Sequence, residues 1–177
     1  GTLTLSNGGF VNSSNYSVTV TGTFGSSNSN TRTLTMGAAT WTISGTGTYF
    51  NLQTVTGLTF SGADATIAIA GASASARTFQ GGGLTYGTLT YIIAGSTGQL
   101  NIVGSNSFAQ INFSDATNAR TLAFTAATTT TIRNTNGFNV QGTSGKLMTV
   151  QSVTAATHTL SSTNTQSCDY LNLVNSI

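Results

Sequence analysis

The chain has 177 residues, and 94 of them are small polar residues or glycine: 36 Thr, 21 Ser, 21 Gly and 16 Asn. Eight side chains are charged, Glu and Pro are absent from the sequence, and the net charge is +2. This composition excludes a helical bundle or coiled coil, which requires Ala, Leu, Glu and Lys in quantity. Charge-driven disorder is excluded as well, because the net charge is small and Leu, Ile, Val and Phe are frequent enough to form a core.

The dominant pattern is a period-two alternation of Thr or Ser with an apolar residue, which is typical of β-strands. The alternating segments, in chain order, are 2–5, 17–21, 32–36, 40–43, 54–60, 66–69, 84–93, 98–103, 108–113, 121–124, 138–140, 146–150, 159–160 and 170–173. Because successive strand side chains face opposite ways, the apolar residues are predicted to face a core and the threonines to face water. The Ala-rich segment 63–76 contains Gly71 and is predicted as strand and loop.

Short polar segments separate these strands. Gly and Asn supply the positive φ angles that sharp corners require, so these segments are predicted to be tight turns. They lie at residues 6–9, 26–30, 81–83, 105–106 and 161–164. Gly81–Gly83 is not followed by the Gly-Lys-Ser/Thr of a phosphate-binding loop, so a corner is the better interpretation of the three glycines.

Similar segments recur along the chain at a loose period. Segments beginning at residues 98, 119 and 145 carry Leu100, Leu122 and Leu147, which are predicted to point inward in successive coils. A second series carries Phe79, Phe108 and Phe138 at almost equal intervals.

Such periods indicate stacked repeats, each the length of one coil of a parallel β-helix with two or three strands. Since parallel crossover connections are right-handed, we predict a right-handed parallel β-helix, that is, a β-solenoid. It would form one domain over 1–177, a section of a longer fibre, with about eight coils and a length near 40 Å at about 4.8 Å per coil. A Greek-key β-sandwich is the alternative fold.

One stretch carries a family resemblance. Residues 78–89, Thr-Phe-Gln-Gly-Gly-Gly-Leu-Thr-Tyr-Gly-Thr-Leu, resemble a segment of the β-helical modules of phage tail and appendage proteins and of large bacterial surface proteins. The resemblance continues towards the C-terminus, through 104–111, 120–126, 138–145 and 169–173, and residues 8–47 look like preceding coils. It implies a fibre-type protein that is extracellular or carried on a virion. It names no catalytic residue.

No catalytic, cofactor-binding or metal-binding residue is predicted. Asp64, Asp115 and Asp169 are dispersed, and each is interpreted as a turn cap rather than as half of a glycosidase pair. His158 has no ligand motif and is predicted to lie in water at a coil edge. Cys168 is predicted to act as a small apolar residue, with an intermolecular disulfide as the alternative.

The cations and threonines lead to further expectations. The arginines are dispersed and predicted to face solvent, so no nucleic-acid surface is expected; they are Arg32, Arg77, Arg120 and Arg133. No apolar run is long enough for membrane insertion. The Thr-x-Thr arrays at 31–35 and 40–42 are similar to ice-binding ladders, but their irregular coil lengths argue against that function.

The sequence therefore predicts a non-enzymatic structural component of a bacteriophage virion, a tail or appendage fibre module. A secreted bacterial adhesin or extracellular filament subunit is the first alternative, located at the cell surface, and a polysaccharide-degrading tailspike fragment is the second. The expected partners are copies of the chain or other fibre subunits, since stacked coils end in open rungs. The resemblance implies a trimer, and a host cell-surface glycan is a further expected partner. The strand-like segments 2–5 and 170–173 lead us to expect further coils beyond them.

Overall fold

The computed structural model describes residues 1–176, which form eighteen β-strands. None of these residues belongs to a helix long and apolar enough to cross a membrane. The strands are β1 (Leu3–Thr4), β2 (Gly8–Val11), β3 (Val18–Val20), β4 (Phe24–Gly25), β5 (Arg32–Thr35), β6 (Thr40–Ile43), β7 (Gly47–Asn51), β8 (Leu58–Ile69), β9 (Arg77–Gln80), β10 (Thr85–Ile92), β11 (Leu100–Val103), β12 (Ser107–Ser114), β13 (Arg120–Phe124), β14 (Thr129–Ile132), β15 (Phe138–Gln141), β16 (Met148–Ser152), β17 (Thr159–Ser161) and β18 (Leu171–Val174).

One face of the molecule is a sheet of eight strands in the order β1-β4-β7-β9-β11-β13-β16-β18. Each strand pairs in parallel with the next, so each contributes one rung to a stack. The eight rungs are separated by seven steps of about 4.8 Å, which gives a stack about 34 Å long.

The other strands form the remaining wall of the coil. Towards the ends of the stack a coil makes this wall with two short strands, and in the middle it makes the wall with one long strand. β5 and β6 pair with opposite ends of the long strand β8, and β14 and β15 pair with opposite ends of β12. β8, β10 and β12 therefore each run continuously across a corner that other coils make with two strands. A coil thus contains two or three strands, as predicted from the sequence.

The fold is a parallel β-helix, and this part of the prediction is confirmed. All pairs between the named strands are parallel, and the one antiparallel bridge among residues 1–176, Thr143 with Lys146, closes a local turn. The β-sandwich alternative is therefore wrong. Coil length varies, because the chain makes a shorter circuit between the paired residues Leu3 and Phe24 than between the paired residues Phe50 and Phe79.

The core is a set of columns in which paired residues from successive coils stack along the axis. Leu100 pairs with Leu122, and both are fully buried, as predicted. The prediction for Leu147 is wrong, because it is 45% exposed and Val150 pairs with Leu122 instead. The turn closed by Thr143 and Lys146 precedes β16, and the inward residues of this coil are Met148 and Val150.

The second predicted series also fails as a column. Phe79 lies in β9 and pairs with Ile102, whereas Phe108 lies in β12, on the other wall. Phe138 pairs with Ile111, not with Phe108. The rings of Phe79 and Phe108 nevertheless meet across the core, with centroids 5.6 Å apart. Phe79 therefore lies on one wall of the coil and Phe108 and Phe138 on the other, so the nearly equal sequence intervals do not mark equivalent positions.

Two of the predicted turns illustrate how glycine is used. Residues 81–83 form the predicted corner, where Gly82 has φ +64° and a Cβ would clash with the carbonyl oxygen of Leu52. The buried amide of Asn106 accepts a hydrogen bond from Gly83 N at 3.0 Å and holds this corner to the next coil. By contrast, the turn predicted at residues 6–9 is partly wrong, because Gly8 and Gly9 begin β2 and pair with β5.

Polar side chains on the outside form hydrogen-bonded ladders only over short distances. Asn139 Nδ2 donates to Asn112 Oδ1 at 3.0 Å across neighbouring rungs. Thr40, Thr66 and Thr88 lie in register, but Gln110 continues that column. An extended flat threonine ladder, which ice binding would need, is therefore not present in this column.

Candidate functional site

The three carboxylates do not come together. Asp64 lies within β8 and is exposed, so the prediction that it caps a turn is wrong. Asp115 follows Ser114, which pairs with Gln141, and Gln141 bridges to Asp169. Asp169 thus lies two rungs from the strand end that Asp115 follows, an axial separation of about 10 Å.

Asp115 is the turn cap that the sequence predicted. Its Oδ1 accepts hydrogen bonds from Thr117 N at 2.8 Å and Thr117 Oγ1 at 2.6 Å, and its Oδ2 accepts one from Asn118 Nδ2 at 3.1 Å. Desolvation alone would raise the pKa of Asp115, but these hydrogen bonds outweigh it and lower the pKa. A general acid of a glycosidase needs a raised pKa, so this carboxylate is unsuited to that role.

Asp169 is exposed, and its backbone amide donates to Gln141 Oε1 at 3.2 Å. Among residues 1–176 the Asp169 carboxylate accepts no hydrogen bond from a turn, so the prediction that Asp169 caps a turn is not confirmed. Within the same residues, no three side chains of His, Cys, Asp or Glu are grouped so that they could hold a metal ion.

His158 is buried, which corrects the prediction that it lies in water. It is 1% exposed, its ring stacks on Phe124 with centroids 4.7 Å apart, and its backbone amide donates to Asn175 O. Neither ring nitrogen has a hydrogen-bond partner among residues 1–176. Burial lowers the pKa of His158, because the charged imidazolium loses its hydration.

This burial predicts a pH dependence. The unfolded chain binds a proton at His158 near pH 6.5, whereas the folded protein binds it at lower pH, so stability is lost as the pH falls below about 6.5. We expect the denaturant midpoint of the wild type to fall between about pH 7.5 and about pH 5.5. His158→Phe keeps an aromatic ring on Phe124 and removes the titration, so its midpoint should change less. Equal changes in the two proteins would contradict the assignment.

Cys168 packs against the core, as predicted for a small apolar residue. The residue is partly buried, and its Sγ donates to Phe138 O at 3.0 Å. Burial raises the pKa of the thiol, so it is a weaker nucleophile than an exposed cysteine. The intermolecular disulfide stays a prediction.

The largest departure from the sequence analysis concerns the arginines. Arg32, Arg77 and Arg120 are 1%, 1% and 2% exposed, so the prediction that they face solvent is wrong for all three. Only Arg133 is exposed, and its Nη2 donates to Tyr86 O at 2.6 Å. Each buried arginine begins a strand and is followed by Thr and then by a buried apolar residue, which gives it the inward side of the alternation.

The coil end formed by β17 and β18 carries an apolar hollow of about 290 Å³. Its lining includes Ile132, Phe138, Leu160, Leu171 and Leu173. Leu173 pairs with Val150, which continues the column of Leu100 and Leu122, but it is 61% exposed while the other three are fully buried. The hollow is therefore the uncovered end of the core.

A second hollow, of about 270 Å³, crosses three rungs on the side of the molecule. Asn12, Asn15, Thr35 and Asp64 line it. The buried Asn12 amide donates to Tyr16 O and Met36 O, and Asn15 Oδ1 accepts from Ala38 N, so both amides serve the fold. Glycan binding stays a prediction.

The chain was compared with protein-family models, curated proteins and solved structures, and nothing in any of the three matches it.

Proposed function

We propose that this chain is a structural, non-enzymatic module of a bacteriophage virion, a section of the β-helical shaft of a tail or appendage fibre. The observation that carries the proposal is the parallel stack of eight rungs that runs from β1 to β18. In β18, Leu173 is exposed, although the residues before it in the same column are fully buried. One more rung stacked on β18 would complete the burial of this column.

The geometry of a parallel stack supports a head-to-tail arrangement. β1 and β18 are the two outer strands of one parallel sheet, so their free edges have complementary backbone donors and acceptors. The translation that relates neighbouring rungs can place β1 of a second copy on β18. A head-to-tail contact of this kind does not close on itself and generates a filament.

The proposed absence of enzymatic activity is supported by the dispersed carboxylates and by the turn contacts that occupy Asp115. The phage setting is supported by the resemblance of residues 78–89 to β-helical modules of phage appendages. A secreted bacterial adhesin or filament subunit would use the same fold, and the location of the protein distinguishes the two.

End-to-end stacking is tested with Leu173→Asp. A carboxylate in an apolar column would be desolvated at the joint, so we expect the fraction of protein in rods to fall at least tenfold, about 1.4 kcal/mol per joint. Sedimentation and negative-stain electron microscopy measure this fraction. Leu147→Asp is the matched control, because Leu147 is exposed outside the core and its replacement should leave the rods intact. A wild-type protein that stays monomeric at all concentrations would contradict the proposal.

The phage setting is tested by fractionation. An antibody against the chain should label the virion band of a density gradient prepared from the producing culture. Labelling of the cell envelope in place of the virion band would overturn the phage assignment in favour of the adhesin.

A further inference from the structure

Two arginines lie in the interior around one tyrosine ring. Arg77 and Arg120 are 1% and 2% exposed, and their Cζ atoms lie 5.2 and 3.9 Å from the ring centroid of Tyr91. Arg120 also lies 4.5 Å from the ring centroid of Phe113. The aromatic faces attract both cations, but they accept no conventional hydrogen bond from the guanidinium N–H groups.

Most donors of this pair have no acceptor. Arg77 Nη2 donates to Gly71 O at 2.8 Å, and Arg120 Nη1 donates to Tyr91 O at 3.4 Å. Among residues 1–176, Nε and Nη1 of Arg77 and Nε and Nη2 of Arg120 have no partner, and neither has the hydroxyl of Tyr49. Burial raises the pKa of Tyr49, and the Arg77 guanidinium opposes this rise.

This pattern is not a general property of buried arginines in the fold. Arg32 is equally buried, but it donates to Ser26 Oγ at 2.7 Å, to Ser26 O at 2.8 Å and to the carbonyl oxygens of Asn30 and Thr56 at 2.9 and 2.8 Å. Its corner is built around the guanidinium. The region around Arg77 and Arg120 contains the two guanidinium cations, but each of them has one hydrogen-bond acceptor.

The local charge is also unbalanced. Burial lowers the pKa of Arg120, and Tyr91 and the nearby Asp115 carboxylate counteract this effect. Asp115 accepts its hydrogen bonds from Thr117 and Asn118 rather than from either guanidinium. Two guanidinium charges against one carboxylate leave a single positive charge in the interior.

We propose that the solenoid holds one small monovalent anion, chloride in ordinary buffers, between Arg77 and Arg120. A single anion would accept hydrogen bonds from unpartnered N–H groups of both guanidinium groups and would balance the remaining charge. A water molecule would satisfy donors but leave that charge uncompensated, which is costly away from solvent.

The direct test is a crystal structure of protein that has been refolded from denaturant with bromide as the only small anion. Refolding gives the ion access to an interior that exchanges slowly. We expect an anomalous bromide peak within hydrogen-bonding distance of both guanidinium groups. Density at that position without an anomalous signal identifies water and overturns the proposal, and so does the absence of any density there.

Unfolding in solution gives a second test. At equal ionic strength, the denaturant midpoint should be higher in sodium chloride than in sodium gluconate, whose anion is too large to enter, and the gain should saturate with chloride concentration. Arg77→Met and Arg120→Met should each abolish this gain, whereas the exposed Arg133→Met should keep it. A chloride gain that persists in Arg77→Met, or none in the wild type, overturns the proposal. If a variant does not fold, the wild-type bromide structure still decides.

Discussion

Replacing Phe79 with alanine is expected to reduce the free energy of unfolding by about 3–5 kcal/mol. Phe79 is fully buried and lies at the centre of an aromatic cluster. Its ring stacks on Phe50 at 4.7 Å and meets Tyr86 at 5.0 Å, besides its contact with Phe108. Alanine would remove one side of all three contacts and leave a cavity that the stacked rungs cannot collapse to fill. Equilibrium unfolding in guanidinium chloride measures the loss.

Two controls accompany this variant. Phe79→Leu fills most of the volume and should cost less than the alanine variant, about 1–2 kcal/mol. Tyr16→Ala removes an aromatic side chain that is 75% exposed and should change stability by no more than about 0.5 kcal/mol. If Phe79→Ala behaved like Tyr16→Ala, the cluster would not be the centre of the core.

Replacing Arg32 with methionine is expected to cost about 3 kcal/mol, although methionine fills much of the same space. Arg32 is the shared donor for the acceptors of one corner, contributed by Ser26, Asn30, Thr54 and Thr56. Without the guanidinium these oxygens stay buried and unsatisfied, and each such group costs about 1–3 kcal/mol unless water reaches it. Chemical denaturation again provides the measurement.

Arg133→Met is the matched control for this change. The same substitution there removes one hydrogen bond of an exposed arginine, so the expected loss is at most about 1 kcal/mol. Arg32→Lys should be intermediate, because an ammonium keeps the charge but cannot reach acceptors on several sides at once. A wild-type stability for Arg32→Met would show that the corner relaxes around the missing donor.

The alternation in the sequence was informative even where its first interpretation was wrong. Strands β5, β9 and β13 begin Arg-Thr-Leu, Arg-Thr-Phe and Arg-Thr-Leu, and in each the third residue is fully buried. Side chains two residues apart lie on the same face of a strand, so the buried third residue places the arginine inside as well. Arginine usually faces water, and this preference led to the wrong prediction that these arginines are exposed.

Two other wrong predictions could not have been corrected from the neighbouring residues in the sequence. Leu147 has the same sequence neighbourhood as Leu100, but the Thr143–Lys146 turn changes which residue begins the strand. His158 follows Ala155-Ala156-Thr157 and was predicted to be exposed. It is buried because its ring stacks on Phe124 and its backbone amide donates to Asn175 O, both in other coils. Both neighbours are distant from His158 in the chain.

The sequence by itself determined an all-β chain of parallel-coil length, the inward and outward faces of most strands and the corner at residues 81–83. These follow from local steric rules: a period of two, the positive φ of glycine, and connections long enough for a parallel coil. Only the tertiary structure decided which residues stack in one column, because coil length varies along the stack and register depends on every corner between the paired strands. For the same reason, only the structure separated Arg32, whose acceptors come from its own and the next coil, from Arg77 and Arg120, whose corner lacks them.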